Sequence, residues 1–529
     1  MARPNPLFAR KPLEMLLEEA RGENRLRRVL GPVQLTSLGV GAIIGAGIFV
    51  ATGAAAHNVA GPALMLSYAV AGLTCVFAAL CYAEFAAMAP VAGSAYTYAY
   101  ATLGELFAWI IGWDLVLEYA VGSATVATGW SGYLQSGVLP KFGIYLPETL
   151  TSSPWRYDVA TGGFVDTGSL INLPAVLIVI VVTAVLVKGI HESANFNTAM
   201  VLVKVAAVLF VIGVGAFFIN PDNWAPFAPY GWTGINIFGN HVAGQEDAGG
   251  NPVGMLAGAA IIFFAYIGFD SVSTHTEEAK NPQRDVPIGI IASLVICTIL
   301  YIAVVAVLTG MVKYNQLDVD APVSNAFKQQ GIGWAEFLIA AAGVAGITSV
   351  LLVMMLSGPR VFLAMARDGL VPKEFFGTIH PKFRTPHKST ILIGLFVIVL
   401  AGFLPIDALL HLTNIGTLFA FVVVCTAVLI MRRTHPNAER PFRCPAVPFI
   451  PIAGILLCLL LMLSLPPANW LRLLGWLALG FIIYFAYGRR HSVMSASRLQ
   501  QELAQHGASP RGSMSPDPDD KHGPTDLKG

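Results

Sequence analysis

Charged residues are scarce in this sequence. Only 12% of the 529 residues are Asp, Glu, Lys or Arg, against about 25% in an average soluble domain. Hydrophobic residues make up 55%, and the mean hydropathy is +0.66. This composition excludes a soluble enzyme. The formal net charge is +1, so no global field of one sign points to nucleic acid as a partner.

Several functional motifs are also absent. The six cysteines have no metal-ligand spacing and mostly fall in apolar runs, so we interpret them as small buried hydrophobes and expect neither metal nor cofactor. The chain contains no Gly-x-x-x-x-Gly-Lys-Ser/Thr, which argues against an ATP-driven pump. Residues 1–35 are charged and lack an apolar core followed by a cleavage site, so we predict no cleavable signal peptide.

Apolar runs of about 20 residues predict an all-α integral membrane protein with twelve transmembrane helices. With a cytoplasmic N-terminus, most of the 32 Lys and Arg residues fall on the cytoplasmic side, as the positive-inside rule requires. Both termini are then cytoplasmic, and the expected location is the cell membrane. The predicted spans, numbered 1 to 12, are centred on residues 36–56, 62–88, 104–134, 170–190, 196–219, 254–275, 287–311, 334–358, 389–404, 407–431, 448–465 and 470–487.

Two of these spans contain glycine-broken stretches. They are Gly41-Ala42-Ile43-Ile44-Gly45-Ala46-Gly47-Ile48-Phe49 in span 1 and Phe263-Phe264-Ala265-Tyr266-Ile267-Gly268-Phe269-Asp270-Ser271 in span 6. Lipid cannot satisfy free backbone N–H and C=O groups, so such breaks persist only where protein, water or a ligand pairs with them. Interrupted helices in matching positions of two halves indicate a transporter's binding site. A single such segment could equally serve close helix packing.

The helix ends at these breaks predict which groups a ligand would meet. Free N–H groups at the positive end of the second half of span 1 suit a carboxylate. Carbonyls left unpaired by the breaks suit an α-ammonium. The expected substrate is therefore an amino acid, bound by the N–H groups of Gly45, Ala46 and Gly47 and by carbonyls near Ala42, Ile43, Ile44, Phe264, Ala265 and Ile267.

Lys204 is the one basic residue deep within a predicted span, and it lies about 12 Å along span 5. An ionisable residue at this depth is a functional hypothesis, because removal from water favours the neutral amine and lets it exchange a proton. The alternative is that Lys204 extends toward the cytosolic face or pairs with a structural carboxylate.

The membrane carboxylates Glu84, Asp114, Glu118 and Asp270 have different expected roles. Asp114 and Glu118 share one face of span 3, and Glu118 contacts the substrate, balances a cation or is a protonated side chain held by a neighbouring helix. We expect Glu84 to act in structure or gating, and Asp270 to cap the second half of span 6.

Four motifs resemble those of the amino acid-polyamine-organocation permeases, in particular the bacterial-type cationic amino acid transporter branch. They are Tyr82-Ala83-Glu84-Phe85, Pro90-Val91-Ala92-Gly93-Ser94-Ala95-Tyr96-Thr97-Tyr98, the run Asp270-Ser271-Val272-Ser273-Thr274 with Glu277-Glu278 and Asn281-Pro282, and Arg440-Pro441-Phe442-Arg443-Cys444-Pro445 with Pro448 and Pro451. His275 and Thr276 depart from this pattern, which has small residues there.

The resemblance implies the leucine-transporter fold, with spans 1–5 and 6–10 as inverted repeats, spans 1 and 6 discontinuous, and spans 11 and 12 peripheral. It also implies that Lys204 occupies the place of a sodium ion in sodium-driven relatives, bridging spans 1, 5 and 8 with Ser349 as partner. Met354 aligns with span 8 residues that bound the substrate pocket, although a methionine in an apolar helix is more often packing.

We therefore predict a secondary active transporter, a proton-coupled symporter of small neutral L-amino acids working by alternating access. The alternatives are a sodium-independent exchanger, a cationic amino acid or polyamine transporter and, more remotely, an intramembrane aspartyl protease using Asp114 and Asp270. The expected partners are an amino acid, a proton and the lipid bilayer, with the chain acting as a monomer.

The predicted organisation has five parts. They are a cytoplasmic N-terminal segment (1–35), a first repeat (36–219), a second repeat (254–431), the peripheral pair of spans (448–487) and a disordered cytoplasmic tail (489–529).

Overall fold

The computed structural model of the protein describes residues 9–12, 30–88, 94–158, 163–189, 194–237, 240–276, 279–319, 321–383 and 385–494. Most of them are helical. In chain order the helices are α1 (Pro32–Ile43), α2 (Thr52–Ala55), α3 (Leu64–Met88), α4 (Ser94–Thr102), α5 (Glu105–Tyr133), α6 (Leu173–Lys188), α7 (Ala194–Gly215), α8 (Met255–Ile262), α9 (Ser271–Thr274), α10 (Pro282–Met311), α11 (Pro322–Gln329), α12 (Gly333–Arg367), α13 (Lys373–Phe376), α14 (His387–Phe403), α15 (Ile406–Thr434), α16 (Phe449–Leu463), α17 (Pro467–Ile483) and α18 (Arg489–His491).

Seven helical stretches of the described residues are long and apolar enough to cross a membrane. They are Pro32–Met88, Glu105–Phe142, Met200–Phe218, Pro282–Met311, Gly333–Arg367, Ile406–Thr434 and Pro467–His491. Four more apolar helices are shorter, namely Leu173–Lys188, Met255–Tyr266, His387–Phe403 and Phe449–Leu463. The protein is thus a mostly helical membrane protein, and each apolar stretch coincides with one or two of the predicted spans.

Two small antiparallel sheets mark one side of the molecule, which we call the hairpin face. One pairs β1 (Trp155–Asp158) with β2 (Gly163–Asp166), and the other joins β3 (Gly234–Ile237), β4 (Asn240–Glu246) and β5 (Pro252–Val253). The strands are short because they lie in loops between apolar helices, where polar residues and glycines interrupt helical periodicity.

The opposite side, which we call the termini face, carries residues 9–12 and 489–494. The helices α5 and α12 run between the two faces. Lys141 pairs with Glu336 at 3.0 Å at their hairpin end, whereas Lys11 pairs with Asp368 at 2.9 Å just beyond the other end of α12. The backbone N–H of Val493 also donates to the Asp368 carbonyl. Both ends of the described chain therefore meet at the end of α12.

The interior is built from α1, α3, α5, α7, α10, α12 and α15. In this bundle α10 packs against α1 and α3, α12 packs against α5, and α7 contacts α1, α10 and α12. The helices α16 and α17 attach to this bundle from outside. Stacked indole rings of Trp113 and Trp476, 4.4 Å apart, join α17 to α5, and each indole N–H donates to the carbonyl of the other tryptophan.

Candidate functional site

Both glycine-rich stretches interrupt their helices. At the first break, α1 ends at Ile43, Ile44 is extended, and helical geometry resumes with π-helical turns at Gly47–Ala51. At the second break, α8 continues into a 3₁₀ turn at Phe263–Tyr266, followed by extended Ile267 and by Gly268 with φ of +120°. Residues with a side chain rarely adopt that φ, so glycine is required there.

The two breaks lie against each other. A Cβ atom added to Gly47 would lie 2.3 Å from the Ala265 Cα, and one added to Gly268 would lie 2.9 Å from the Ala42 carbonyl oxygen. These glycines therefore let two main chains meet without intervening side chains. A ligand between them would face backbone groups of both segments.

Two of the three predicted backbone donors of the first break, the N–H groups of Gly45 and Ala46, are available. Phe49 makes the first hydrogen bond of the resumed helix, to the Gly45 carbonyl at 3.2 Å. Among the described residues, neither the Gly45 nor the Ala46 N–H has a hydrogen-bond acceptor. These groups lie at the positive end of the helix, where an anion is stabilised.

The predicted carbonyl acceptors fall into two groups. The Phe264 carbonyl accepts from the Ile267 N–H at 3.2 Å, and those of Ile43 and Ala265 face the Tyr301 hydroxyl at 2.8 and 3.2 Å. In the described part of the chain, no side chain donates to the carbonyls of Ala42, Ile44 or Ile267. The breaks thus offer fewer unpaired acceptors than the sequence predicts, because the protein itself supplies donors.

Lys204 on α7 is buried, with 1% of its surface exposed. Its ammonium donates to the Gly41 carbonyl at 2.7 Å, within the last turn of α1. The negative end of a helix dipole stabilises a cation there. The aliphatic stem of Lys204 lies against Gly346 on α12, where an added Cβ would be 3.2 Å from the lysine Cγ.

Lys204 therefore joins α7, α1 and α12. Ser349 lies three residues beyond Gly346 on α12, and no hydrogen bond links it to Lys204 in the part of the chain that the structure describes. Its role as a partner stays a prediction.

Glu118 and Asp114 line a small cavity between α5, α15 and α17, together with Thr413, Gly416 and Arg472. Among the described residues, neither oxygen of the Glu118 carboxylate has a hydrogen-bond partner, and the same is true of Asp114 Oδ2. Burying such groups unpaired is costly, so they must be protonated or neutralised by a bound species.

Asp270 lies between this cavity and the second break. Its carboxylate accepts from the Tyr119 hydroxyl at 2.7 Å and from the Gly268 N–H at 3.2 Å. It occupies the N-cap position of α9, yet its side chain makes no capping hydrogen bond to that helix. The expected cap is thus replaced by a bond that stabilises the break itself.

Met354 is buried on α12 and faces α5. A Cβ atom on Gly122 would lie 3.3 Å from its sulfur and 3.6 Å from the Thr413 methyl group on α15. Gly122 is one helical turn beyond Glu118, so Met354 and Glu118 approach the centre of the bundle from neighbouring positions.

Glu84 is the centre of a charged network on the termini face. It accepts two hydrogen bonds from Arg432, at 2.9 and 2.7 Å, one from Arg440 at 3.1 Å and one from the Cys444 N–H at 2.8 Å. Hydrogen bonding to the Cys81 thiol, together with burial, raises the pKa of Cys444, so this thiol stays protonated beside the carboxylate. Two of the recognised motifs thus bind each other, which supports the structural role expected of Glu84.

The end of α1 on the termini face is also tied to the segment after the second break. Leu30 and Ala279 form a parallel bridge, and the Lys280 N–H donates to the Leu30 carbonyl at 2.8 Å. His275 and Thr276 lie close to this contact, with the His275 N–H donating to the Val272 carbonyl. Residues 90–93 and Glu277 and Glu278, which belong to the motifs, lie outside the described residues.

Sequence reasoning missed the tyrosines that bind the breaks. Tyr68 donates to the Gly47 carbonyl at 3.1 Å, and its ring packs with those of Tyr266 and Tyr301. The available signal was a hydroxyl-bearing aromatic in the middle of an apolar run, which requires a buried partner.

The comparisons with known proteins all match permeases or transporters, and each match extends over most of this chain. A family model described as "Amino acid permease" matches residues 30–473. The methylthioribose transporter of Bacillus subtilis (strain 168) is 44% identical over 92% of this chain and 99% of its own length. The branched-chain amino acid permease BcaP of the same organism is 46% identical over 92% of this chain and 99% of its own length. A vacuolar cationic amino acid transporter 4 of Arabidopsis thaliana is 38% identical over 82% of this chain and 68% of its own length.

Proposed function

The chain belongs to the amino acid permease family, and from that premise we propose that it couples proton entry to the uptake of small neutral L-amino acids. It is a membrane permease and not an enzyme. The proposed mechanism is alternating access by a secondary active symporter in the cell membrane.

The proposed architecture is the twelve-span leucine-transporter fold with inverted repeats and cytoplasmic termini. Its support is that the seven long and four shorter apolar stretches cover all twelve predicted spans, the stretch Pro32–Met88 containing two of them. The paired breaks in spans 1 and 6 are the further support, because they occupy matching positions in the two proposed repeats.

The single observation that carries the substrate class is the contact between the two breaks. The N–H groups of Gly45 and Ala46 lie on one side of this contact and provide a donor site. The Ala265 carbonyl, which also faces the Tyr301 hydroxyl, lies on the other side and provides an acceptor site. A zwitterionic amino acid carries the complementary carboxylate and ammonium. Compounds lacking either group should bind far more weakly, so methyl esters and amines should compete poorly.

Small neutral side chains are proposed because Met354 occupies space between α12, α5 and α15. The unpaired Glu118 carboxyl keeps a cationic substrate as an alternative, and the similarity to a cationic amino acid transporter favours the same alternative. If putrescine displaced the bound substrate as effectively as alanine does, the result would support a polyamine transporter.

The similarity to a methylthioribose transporter favours a second candidate. A thioether sugar has neither an ammonium nor a carboxylate, so it could not use the donor and acceptor ends of the breaks together. Competition between alanine and methylthioribose for the purified protein separates the two candidates.

Proton coupling is assigned to Lys204, which lies at the α1, α7 and α12 contact. A charged Lys204 would hold α1 through the Gly41 carbonyl while substrate loads from outside. Proton release to the less acidic cytosol would weaken that bond and let the inner half of span 1 move.

The experiment is uptake by the purified protein in liposomes under an inward proton gradient. We expect accumulation of alanine above equilibrium that collapses when the gradient is removed. Accumulation of arginine without alanine would overturn the neutral substrate class. Counterflow that is indifferent to pH would establish the sodium-independent exchanger instead.

A further inference from the structure

Arg472 is a charged residue in the second turn of the apolar helix α17. This helix packs on α5 along one stripe of residues. The Trp109 indole N–H donates to the Gly480 carbonyl at 3.0 Å, and the Trp113 and Trp476 rings stack one helical turn further along. Residues four apart share a face of a helix, so Arg472 continues the stripe that begins at Gly480 and Trp476. Arg472 therefore lies on the face of α17 that meets α5.

A cavity of about 10 Å³ lies at this end of the stripe. It is lined by Arg472 from α17, by Asp114 and Glu118 from α5, and by Thr413 and Gly416 from α15. A space of this size holds at most about one water molecule. Three charged side chains thus face one small space that has no room for a layer of solvent between them.

The two carboxylates in the cavity are almost completely buried, with 1% of Asp114 and 3% of Glu118 exposed. Among the described residues, no hydrogen-bond partner is found for Asp114 Oδ2 or for either oxygen of Glu118. A Cβ atom added to Gly416 would lie 2.7 Å from Asp114 Oδ1, so this carboxylate lies directly against the main chain of α15. Two carboxylates that are one helical turn apart and removed from water require positive charge.

The charges of the cavity can be counted. A guanidinium does not deprotonate in proteins, so Arg472 supplies one permanent positive charge. It balances one of the two carboxylates, and a single bound proton neutralises the other. The cavity is then electrically neutral before any substrate arrives. A cationic side chain would add a positive charge to a site that requires none.

The cavity adjoins the place proposed for the substrate side chain. Thr413 lines the cavity, and its methyl group would lie 3.6 Å from a Cβ atom added to Gly122, which would lie 3.3 Å from the Met354 sulfur. Glu118 is one helical turn from Gly122 on α5. A long substrate side chain that passes Met354 therefore reaches Glu118 and the cavity. The charge of the cavity acts on the far end of that side chain, whereas the two breaks bind the substrate backbone.

We propose that Arg472 is a specificity-determining residue that acts as an internal counter-ion for Asp114 and Glu118 and thereby excludes substrates with a cationic side chain. The inference rests on the proposed amino acid transport and deepens it, because it assigns the rejection of such substrates to a residue of α17. Met354 limits the size of the substrate side chain, and Arg472 limits its charge. The buried carboxylates are in this way compatible with a neutral substrate.

The test compares the binding of lysine with that of norleucine, which has the same linear side chain without the terminal amine. The wild-type protein should prefer norleucine. Arg472→Met removes the charge and keeps an unbranched side chain, so that a lysine ammonium can replace the missing cation. We expect the ratio of lysine affinity to norleucine affinity to rise about tenfold, the effect of one hydrogen bond to a charged group. Competition of each ligand with alanine on the purified protein measures the ratio.

Three further variants separate the charge of Arg472 from its packing. Arg472→Lys keeps a positive charge and should restore the wild-type ratio. Arg156→Met makes the same replacement at an exposed arginine on the hairpin face and should not change the ratio. Adding Asp114→Asn to Arg472→Met should cancel the gain, because the cavity is again neutral with one proton. A wild-type ratio in Arg472→Met overturns the proposal, and so does an equal change of the ratio in Arg472→Lys.

Asp114→Asn alone keeps the experiment decisive if Arg472→Met does not fold. Arg472 then balances Glu118, and the cavity holds no proton that lysine could displace. The ratio of lysine affinity to norleucine affinity should fall below that of the wild type, and an unchanged ratio would contradict the assignment. A wild-type protein that binds norleucine and alanine but prefers lysine overturns the role of Arg472. A wild-type protein that binds none of the three amino acids refutes the proposed function itself, which is a distinguishable result.

Discussion

The two breaks are stabilised in different ways. The first is held by side chains from three other helices, namely Lys204 on α7, Tyr301 on α10 and Tyr68 on α3. The second also faces the Tyr301 hydroxyl, through the Ala265 carbonyl, and has local support as well, from the Ile267 N–H on the Phe264 carbonyl and the Asp270 carboxylate on the Gly268 N–H. A helix fixed by its neighbours changes when they move, whereas one fixed locally keeps its shape. We therefore expect the first break to be the moving part and the second to be the fixed reference.

The largest effect should come from removing the charged contact of the first break. Lys204→Ala should abolish alanine accumulation driven by a proton gradient, and Lys204→Arg should also fail because a guanidinium does not deprotonate in proteins. Substrate binding should persist in both variants, since Lys204 contacts α1 and not the proposed ligand groups. Liposome uptake measured beside equilibrium binding checks this.

Lys328→Ala is the control for that experiment, because Lys328 is an exposed partner of Glu336 on the hairpin face. It should transport like the wild type. Normal accumulation by Lys204→Ala would remove the lysine from the mechanism and make Glu118 the next proton carrier to examine.

Adding a methyl group where the breaks touch should have the next largest effect. Gly47→Ala places a Cβ 2.3 Å from the Ala265 Cα, and main chain cannot yield as a flexible side chain can. We expect a loss of about 1–3 kcal/mol in stability from overpacking, with loss of alanine binding. Thermal unfolding in detergent and a binding assay measure the two effects.

Gly213→Ala on α7 is the matched substitution, because no atom lies within 4 Å of the added Cβ. It should be neutral or slightly stabilising, since alanine favours a helix over glycine. Wild-type binding by Gly47→Ala would mean that the contact between the breaks does not form the site.

A smaller effect is expected from weakening the local support of the second break. Asp270→Asn removes a charged acceptor from the Gly268 N–H and the Tyr119 hydroxyl, at a cost of about 1.5–3 kcal/mol in stability. Because the break supplies the Ala265 carbonyl, alanine affinity should fall with it.

The comparison variant is Asp285→Asn, a buried aspartate that accepts the Asn281 N–H at the start of α10. It should lower the thermal transition without changing alanine affinity once folded. Equal affinity losses in the two variants would show that general destabilisation, and not the second break, is being measured.

The smallest expected effect is that of Ser349→Ala. Ser349 makes no hydrogen bond to Lys204 among the described contacts, so binding should change by less than about twofold. If Ser349 pairs with Lys204 only after α1 moves, the rate of proton-driven uptake falls while binding does not. Unchanged uptake would contradict the predicted role of Ser349 as a partner of Lys204.

The sequence was most informative at residue types that are rare or unexpected in apolar membrane helices. Glycines in apolar runs predicted both breaks, and a lone lysine predicted the contact between α7 and the interior, because lipid makes such residues costly without a purpose. The hydroxyl of Tyr301 was not predictable, since its two acceptors lie 258 and 36 residues away in sequence. Likewise, nothing near Glu84 in sequence indicates that Arg440 will reach it from 356 residues away.

The meeting of Lys11 and Val493 at Asp368 has a consequence for biosynthesis. Lys11 leaves the ribosome 357 residues before its partner Asp368. The Val493 N–H that also binds Asp368 is made later still. Contacts of such long sequence separation form late, so the end of α12 is completed only after Val493 has been made. A chain released early would insert its first helices in the bilayer but would leave the end of α12 at Asp368 accessible to quality-control proteases.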